Sequence, residues 1–304
     1  HFRYLSEFTG IIALYVLFRV LPLESASWLG GKSASLIGPL LGASRKARKN
    51  IRLAFPDAQP SEHESILREM WDNLGRIAGE YPHLPHIRHT GERPRIAIDQ
   101  GSYERLANLK ADGYPAVLCN AHIANWEVAP RATADAGLPL SIIYRKPNNP
   151  YVAWLLDRIR ARSGAEQRIA KSRHGAFPIM RSLQSGGHIG LMFDQKHGEG
   201  MWIELFGVAA KTSALPVALC RKFNAPLVPA RIVRTKGARF RIQVEDPIPL
   251  NTCDGHKRAD EDVLRDLHNH LEAWIRETPG QWLWLHRRWP GASSCNLKTK
   301  ELSS

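Results

Sequence analysis

The sequence predicts an α/β fold, with a mainly parallel central sheet flanked by helices. Three observations predict it. Short apolar runs bounded by turn residues recur at 116–119, 140–144 and 189–193, as expected of strands buried on both faces. Each alternates with a stretch of helical length. Polar residues able to do chemistry cluster directly after these runs, at the carboxyl edge of such a sheet.

Taken in order, residues 8–23 read FTGIIALYVLFRVLPL. Only residues 8–18 are uninterrupted before Arg19, short of the roughly 20 needed to span a bilayer. Arg19 can snorkel, and no convincing small-residue cleavage site follows. A retained, membrane-associated N-terminal helix is therefore expected. A second apolar segment at 35–41 leads into Arg45-Lys46-Ala47-Arg48-Lys49-Asn50-Ile51-Arg52, whose five cations suit a phosphate-bearing surface. Phe55-Pro56 ends that basic helix. The next helix is expected to be N-capped by Ser61 and to run to about Glu80, where Tyr81-Pro82 stops it.

A weak strand at 96–98 and a helix at 103–111 precede the central strand. Strand 140–144 then delivers Arg145-Lys146-Pro147, and a helix at 151–163 carries Arg158, Arg160 and Arg162. After a helix at 177–183, strand 189–193 ends in Asp194-Gln195-Lys196. Residues 198–212 read as a Gly-rich connection. A helix at 214–223, a strand pair at 227–234 and 240–244, and a long helix at 260–278 complete the pattern. The run Gln281-Trp282-Leu283-Trp284-Leu285-His286-Arg287-Arg288-Trp289 suits a lipid headgroup boundary, a nucleic-acid groove or a packed Trp core. The expected organisation is a membrane-associated segment at 1–44, an α/β domain at 45–290 and a polar tail at 291–304.

The 304 residues carry 42 Lys and Arg against 29 Asp and Glu, a net charge of +13. That excess favours an anionic partner. Without a zinc-finger or RNA-recognition motif, nucleic acid ranks below a membrane surface or an acidic protein. The four cysteines show no C-x-x-C pairing, so neither a structural disulfide nor a metal site is expected.

The chemistry concentrates in Ala116-Val117-Leu118-Cys119-Asn120-Ala121-His122-Ile123-Ala124-Asn125-Trp126-Glu127. On one continuous helix His122 and Glu127 would point about 140° apart, so they can meet only if His122 lies in the loop and Glu127 on the first helical turn. A carboxylate beside an imidazole fixes its tautomer and raises its basicity. The expectation is a general-base dyad of His122 and Glu127. The spacing is not that of a zinc protease, and there is no G-x-S-x-G elbow. Cys119 reads as a buried strand residue, so a mechanism without a covalent enzyme intermediate is preferred. Arg145, Arg162 and Lys196 can grip anionic phosphates.

Several further segments fall into one order: Asn50-Ile51 to Phe55-Pro56, His122-x4-Glu127, Tyr144-Arg145-Lys146-Pro147 with Asn149-Pro150, Arg160-Ala161-Arg162-Ser163-Gly164, Phe193-Asp194-Gln195, Phe206-Gly207 with Lys211-Thr212, and the 281–289 run. With these the chain resembles the bacterial lysophospholipid acyltransferases typified by the late lipid A lauroyl and myristoyl transferases. The resemblance implies a glycerol-3-phosphate acyltransferase-like fold at the cytoplasmic face of the inner membrane. It implies an enzyme moving a fatty acyl chain from acyl carrier protein to an anionic lipid acceptor, without cofactor. It places His122 and Glu127 in the catalytic role, with Asn125, Arg162 and Asp194 beside Arg145 and Lys196 as substrate contacts. Some relatives carry Asp-His-Asp where this chain has Asp194-Gln195-Lys196, and relatives that acylate phosphatidylinositol mannosides share much of the pattern. Two rival classes fit the same residues: a hydrolase that activates water, and a non-catalytic membrane- or RNA-binding protein.

Overall fold

The computed structural model describes residues 2–144, 146–162, 164–170, 176–196 and 198–289; Arg145 and the 291–304 tail lie outside them. The chain opens with helices α1 (Phe2–Val20), α2 (Leu23–Ile37), α3 (Ser44–Ala54) and α4 (Pro60–Glu80). The fourth starts two residues earlier than expected. Pro60 takes the first helical position, and the Gln59 backbone N–H donates to the Glu62 carboxylate at 2.7 Å, so Gln59 rather than Ser61 is the cap. α2 and α4 cross in close contact at glycines: a Cβ on Gly30 would stand 2.3 Å from the Gly75 carbonyl oxygen. Among the described residues no helix is long and apolar enough to cross a membrane. α1 nonetheless has two characters. Phe18 is buried, and the His83 ring Nε2 donates to its carbonyl at 2.9 Å, whereas Leu14, Leu17 and Val20 are exposed.

Among the described residues the sheet holds seven strands: β1 (Ile96–Ile98), β2 (Val117–Asn120), β3 (Leu140–Tyr144), β4 (Arg168–Ala170), β5 (His188–Met192), β8 (Leu227–Lys236) and β9 (Arg239–Val244), in the order β1-β9-β8-β2-β5-β3-β4. β8, β2, β5, β3 and β4 are mutually parallel, and β9 pairs antiparallel with β8. β2 lies in the middle and is buried through Cys119, which is why it reads as an uninterrupted apolar run. Helices α5 (Gln100–Ala111), α6 (Ala129–Asp135), α7 (Pro150–Arg160), α8 (Ala176–Gln184), α9 (Leu215–Phe223) and α10 (Asp260–Glu277) fill the connections.

One expectation needs correction, and one set of open readings is decided. The 198–212 connection is a β-hairpin, β6 (Met201–Leu205) with β7 (Val208–Thr212), closed by Phe206 and Gly207 with φ of 55° and 69°. Positive φ at both turn positions matches a tight hairpin, but a Phe in the first position hides the signal that Asn or Asp would give. The 281–289 run is not a lipid-facing surface. Trp282, Trp284, Arg288 and Trp289 are buried, and the Trp282 and Trp284 rings meet edge-on at 4.5 Å.

Candidate active site

Register assembles the site. β2 and β5 are parallel neighbours whose last paired residues are Asn120 and Met192, and Phe193 continues the ladder by donating to the Asn120 carbonyl at 3.1 Å. Two residues beyond each paired end come His122 and Asp194. The Asp194 carboxylate accepts from the His122 ring Nδ1 at 2.8 Å, from the His122 backbone N–H at 2.9 Å and from Trp282 Nε1 at 2.8 Å. Asp194 is fully buried. Burial opposes its ionisation, but His122 and these hydrogen bonds outweigh it and hold the carboxyl far below the usual carboxylate range. An ionised Asp194 accepts only, so Nδ1 carries the proton and Nε2 of His122 is left as the basic nitrogen.

That basic nitrogen faces donors and apolar space. Gln195 Nε2 lies 3.2 Å from His122 Nε2 and 3.2 Å from His286 Nε2, bridging the two imidazoles, whose centroids are 5.0 Å apart. Burial, then the neighbouring His122, lowers the His286 pKa to about 4, so it is neutral and accepts from the amide. Trp126 meets the other side of the His122 ring edge-on at 4.9 Å.

The expected His122–Glu127 dyad is not formed. Both ring nitrogens of His122 are engaged by Asp194 and Gln195, and the Glu127 carboxylate is gripped by the Arg160 fork, Nε to Oε2 at 2.9 Å and Nη2 to Oε1. Asn125 accounts for the difference. It caps the short turn Trp126–Val128 by accepting from the Glu127 N–H, and this turn starts Glu127 away from the imidazole. Behind the pair, the partly buried Tyr81 packs against Glu127 and Arg160, and desolvation followed by the Glu127 charge pushes its phenol well up. For Arg160, burial works against the charge, but Glu127 overrides it and the guanidinium stays charged.

The loop between His122 and Glu127 is clamped from behind. Ala124 takes a positive φ of 50°, unfavourable for a residue with a Cβ, so its surroundings must hold it. Its N–H donates to the Gln281 carbonyl at 3.0 Å and its carbonyl accepts from Asn73 Nδ2 at 3.2 Å, while Leu283 N–H donates to the His122 carbonyl at 3.0 Å. Asn50 in turn holds the Trp run, donating to the Trp284 and His286 carbonyls at 2.8 and 2.6 Å. Asn125 Nδ2 donates at 2.8 Å to buried Glu80, which also takes Ser27 Oγ at 2.7 Å and the Arg234 guanidinium.

The remaining predicted residues divide. Asn125, expected to touch substrate, is fully buried with both ends of its amide engaged, so it positions the motif loop. Lys196 is exposed and lines a cavity of about 700 Å³ together with His122, Glu127 and Arg160. Arg162 is exposed and lines a different, smaller cavity. The larger one is walled mostly by apolar side chains, among them Leu118, Ile142, Ile179 and Leu191. Its volume is typical of a pocket that engulfs most of a small ligand. Cys119 is fully buried, and burial pushes its thiol well up, so it supplies no thiolate. Gln195, Trp282, His286 and Tyr81 were not singled out from sequence. Only the position of Gln195, Trp282 and His286 inside motif segments hinted at them.

Chemically the arrangement is an imidazole with a fixed tautomer at the mouth of an apolar cavity. Comparison with known proteins gives the family. Residues 1–290 match the family model for bacterial lipid A biosynthesis acyltransferases. The lipid A biosynthesis palmitoleoyltransferase of Escherichia coli (strain K12) is 25% identical over 303 residues, covering 95% of this chain and 92% of the relative. The myristoyltransferase of the same organism is 23% identical over 295 residues, with 94% and 87% covered. Its lauroyltransferase is 23% identical over 304 residues, with 95% and 92% covered. The chain belongs to the bacterial lipid A biosynthesis acyltransferase family.

Proposed function

We propose that this chain transfers a fatty acyl group from an acyl carrier protein thioester to a hydroxyl of a lipid A precursor, at the cytoplasmic face of the inner membrane. The observation that supports it most is the His122–Asp194 pair, with Nε2 free of a proton beside an apolar cavity of about 700 Å³. In this reading the acyl chain occupies the cavity. The acceptor hydroxyl displaces the Gln195 amide from His122 Nε2 and gives up its proton there. Its oxygen bonds to the thioester carbonyl carbon, the C–S bond breaks, and the leaving thiolate takes the proton from the imidazolium. Asp194 stabilises that imidazolium, and the displaced Gln195 amide is the nearest donor for the developing oxyanion. Glu127 acts through Arg160, as an ion pair that fixes the cavity wall. Lys196, exposed at the rim, and Arg145 serve the anionic groups of donor or acceptor.

Two features support the setting. Exposed apolar residues on α1 and at 36–41, with Leu36 and Leu40 the most open, suit helices lying in a lipid interface. The charge of +13 suits an acidic carrier protein. The test is mass spectrometry of lipid acceptors after incubation with acyl carrier proteins of several chain lengths, with and without acceptor. An acylated lipid A precursor is the expected product. Free fatty acid formed equally without acceptor would make the protein a hydrolase, and no turnover of any thioester would remove the catalytic reading.

A further inference from the structure

A second cavity, of about 210 Å³, lies between α1, the 81–86 turn and α7, and shares no lining residue with the larger one. Tyr15, Leu155 and Ile159 give it apolar walls. Three arginines reach it: Arg19 near the end of α1, Arg158 on α7 and Arg162 just past α7. Among the described residues no Asp or Glu lines it. All three arginines are exposed, and among the described residues none has a hydrogen-bond or ion-pair partner for its guanidinium; Arg158 stacks on Trp154 at 4.6 Å from the ring centroid. Nearby arginines differ: Arg160 is paired with Glu127, Arg168 with Asp157 and Arg131 with Asp135.

Bringing three like charges to one small cavity costs free energy unless an anion joins them. Guanidinium forks match the oxygens of a phosphate, and three of them suit its charge better than that of a single carboxylate. The cavity has room for roughly seven waters at about 30 Å³ each, enough for a phosphate and the first carbons of its ester. Apolar walls favour those carbons being part of an amphiphile. Arg19 also sits between exposed Leu17 and Val20, on the part of α1 that suits a lipid interface.

We propose that this cavity is a phosphate-ester site, in which Arg19, Arg158 and Arg162 hold a phosphate carried by an amphiphile at the lipid surface. The phosphate belongs either to the acyl acceptor, which rests on the function proposed above, or to a bulk phospholipid headgroup, which does not.

The full chain is titrated with hexyl phosphate and, separately, with hexanol by calorimetry. Wild type, Arg158→Gln, the triple variant Arg19→Gln/Arg158→Gln/Arg162→Gln, and a control triple Arg68→Gln/Arg239→Gln/Arg241→Gln of equal charge loss are compared, with folding checked by circular dichroism. The expected result is binding of hexyl phosphate but not hexanol, weakened about tenfold or more in the site triple and unchanged in the control, since the site triple removes the charged donors that hold the phosphate. Arg158→Gln gives an intermediate loss, and it serves if the triple misfolds. Two further arms then assign the source. A raised KM for a phosphorylated acceptor in neutral micelles, absent for the dephosphorylated acceptor, assigns the acceptor. Loss of flotation on vesicles containing phosphatidylglycerol, with KM in micelles unchanged, assigns the headgroup. Hexyl phosphate binding that is equal in wild type and site variants, or equally reduced in the control, overturns the site. If wild type transfers no acyl group, the proposed function fails while the titration still reports on the cavity.

Discussion

His122 Nδ1 stands 2.8 Å from Oδ1 of Asp194, across the carboxyl ends of two adjacent parallel strands. The same carboxylate holds the His122 backbone and Trp282, so imidazole, loop and Trp run share one buried anion. Replacing Asp194 by Asn keeps the size but can turn its amide donor toward Nδ1, which reverses the tautomer. Asp194→Asn and His122→Ala are each expected to lower transfer by about 10²–10⁴-fold with the fold retained. Steady-state kinetics on protein of verified circular dichroism checks this. An Asp194→Asn enzyme at wild-type turnover would assign the imidazole's orientation to something else.

Glu127 and Arg160 form a buried pair with side-chain exposures of 9% and 14%. Removing the Glu127 carboxylate takes a close counter-charge from a partly buried guanidinium, at a cost of up to about 3–5 kcal/mol. Glu127→Gln is therefore expected to unfold at clearly lower denaturant concentration, and Glu127→Gln/Arg160→Met to recover part of that loss. Equal midpoints for Glu127→Gln and wild type would show that the pair does not contribute to stability.

Gly190 lies on β5 between Leu118 and Ile142, and all three line the large cavity. A Cβ there would stand 3.3 Å from Leu140 and 3.6 Å from Ile142, a tight but tolerable fit, so a longer side chain must project into the cavity. Gly190→Leu is expected to raise KM for long-chain acyl donors more than for short ones. A uniform rise for all chain lengths would place the acyl chain elsewhere.

Because Phe18 is buried and Asn149 donates to the Tyr4 carbonyl at 2.8 Å, deleting α1 would damage the fold. Point changes on its open side are cleaner. Leu14→Ser/Leu17→Ser/Val20→Ser is expected to reduce vesicle flotation several-fold, at roughly 25 cal/mol per Å² of apolar area lost from the interface, without changing the thermal midpoint in detergent. Unchanged flotation would remove this surface from the membrane contact.

His268 is almost fully buried, and burial, then Arg288, lowers its pKa to about 3; His286 is lowered to about 4. A histidine with a depressed folded pKa is protonated first in the unfolded chain. Its neutral burial therefore leaves stability intact above about pH 6.5 and erodes it as pH falls toward the folded value. Asp194, likewise held below its ordinary value, adds its own loss as pH falls, only below about pH 4. Unfolding free energies from denaturant titrations should drop between pH 7 and pH 5, by on the order of 1–2 kcal/mol for each of these histidines, and His268→Gln should flatten the slope. A pH-independent midpoint over this range would contradict the lowered pKa of both rings.

Sequence by itself determined the elements that depend on local pattern. The apolar runs of β2, β3 and β5, the helix ending at Glu80 and the turn-bounded β8–β9 pair were legible because period, length and breaker residues act over a few positions. It also marked His122 as the centre of the site and the ordered motifs that identify the family. Tertiary structure decided who touches whom. Asp194 is 72 residues from His122, and only the pairing of Asn120 with Met192 brings them together, displacing Glu127, the near neighbour in sequence, onto Arg160. It likewise turned the Trp-Arg run inward, where Trp282 caps Asp194 and Arg288 is held by the Lys211 carbonyl, Thr212 and His268. Local periodicity does not encode these choices. They follow from strand register and from the need of every buried polar group for a partner.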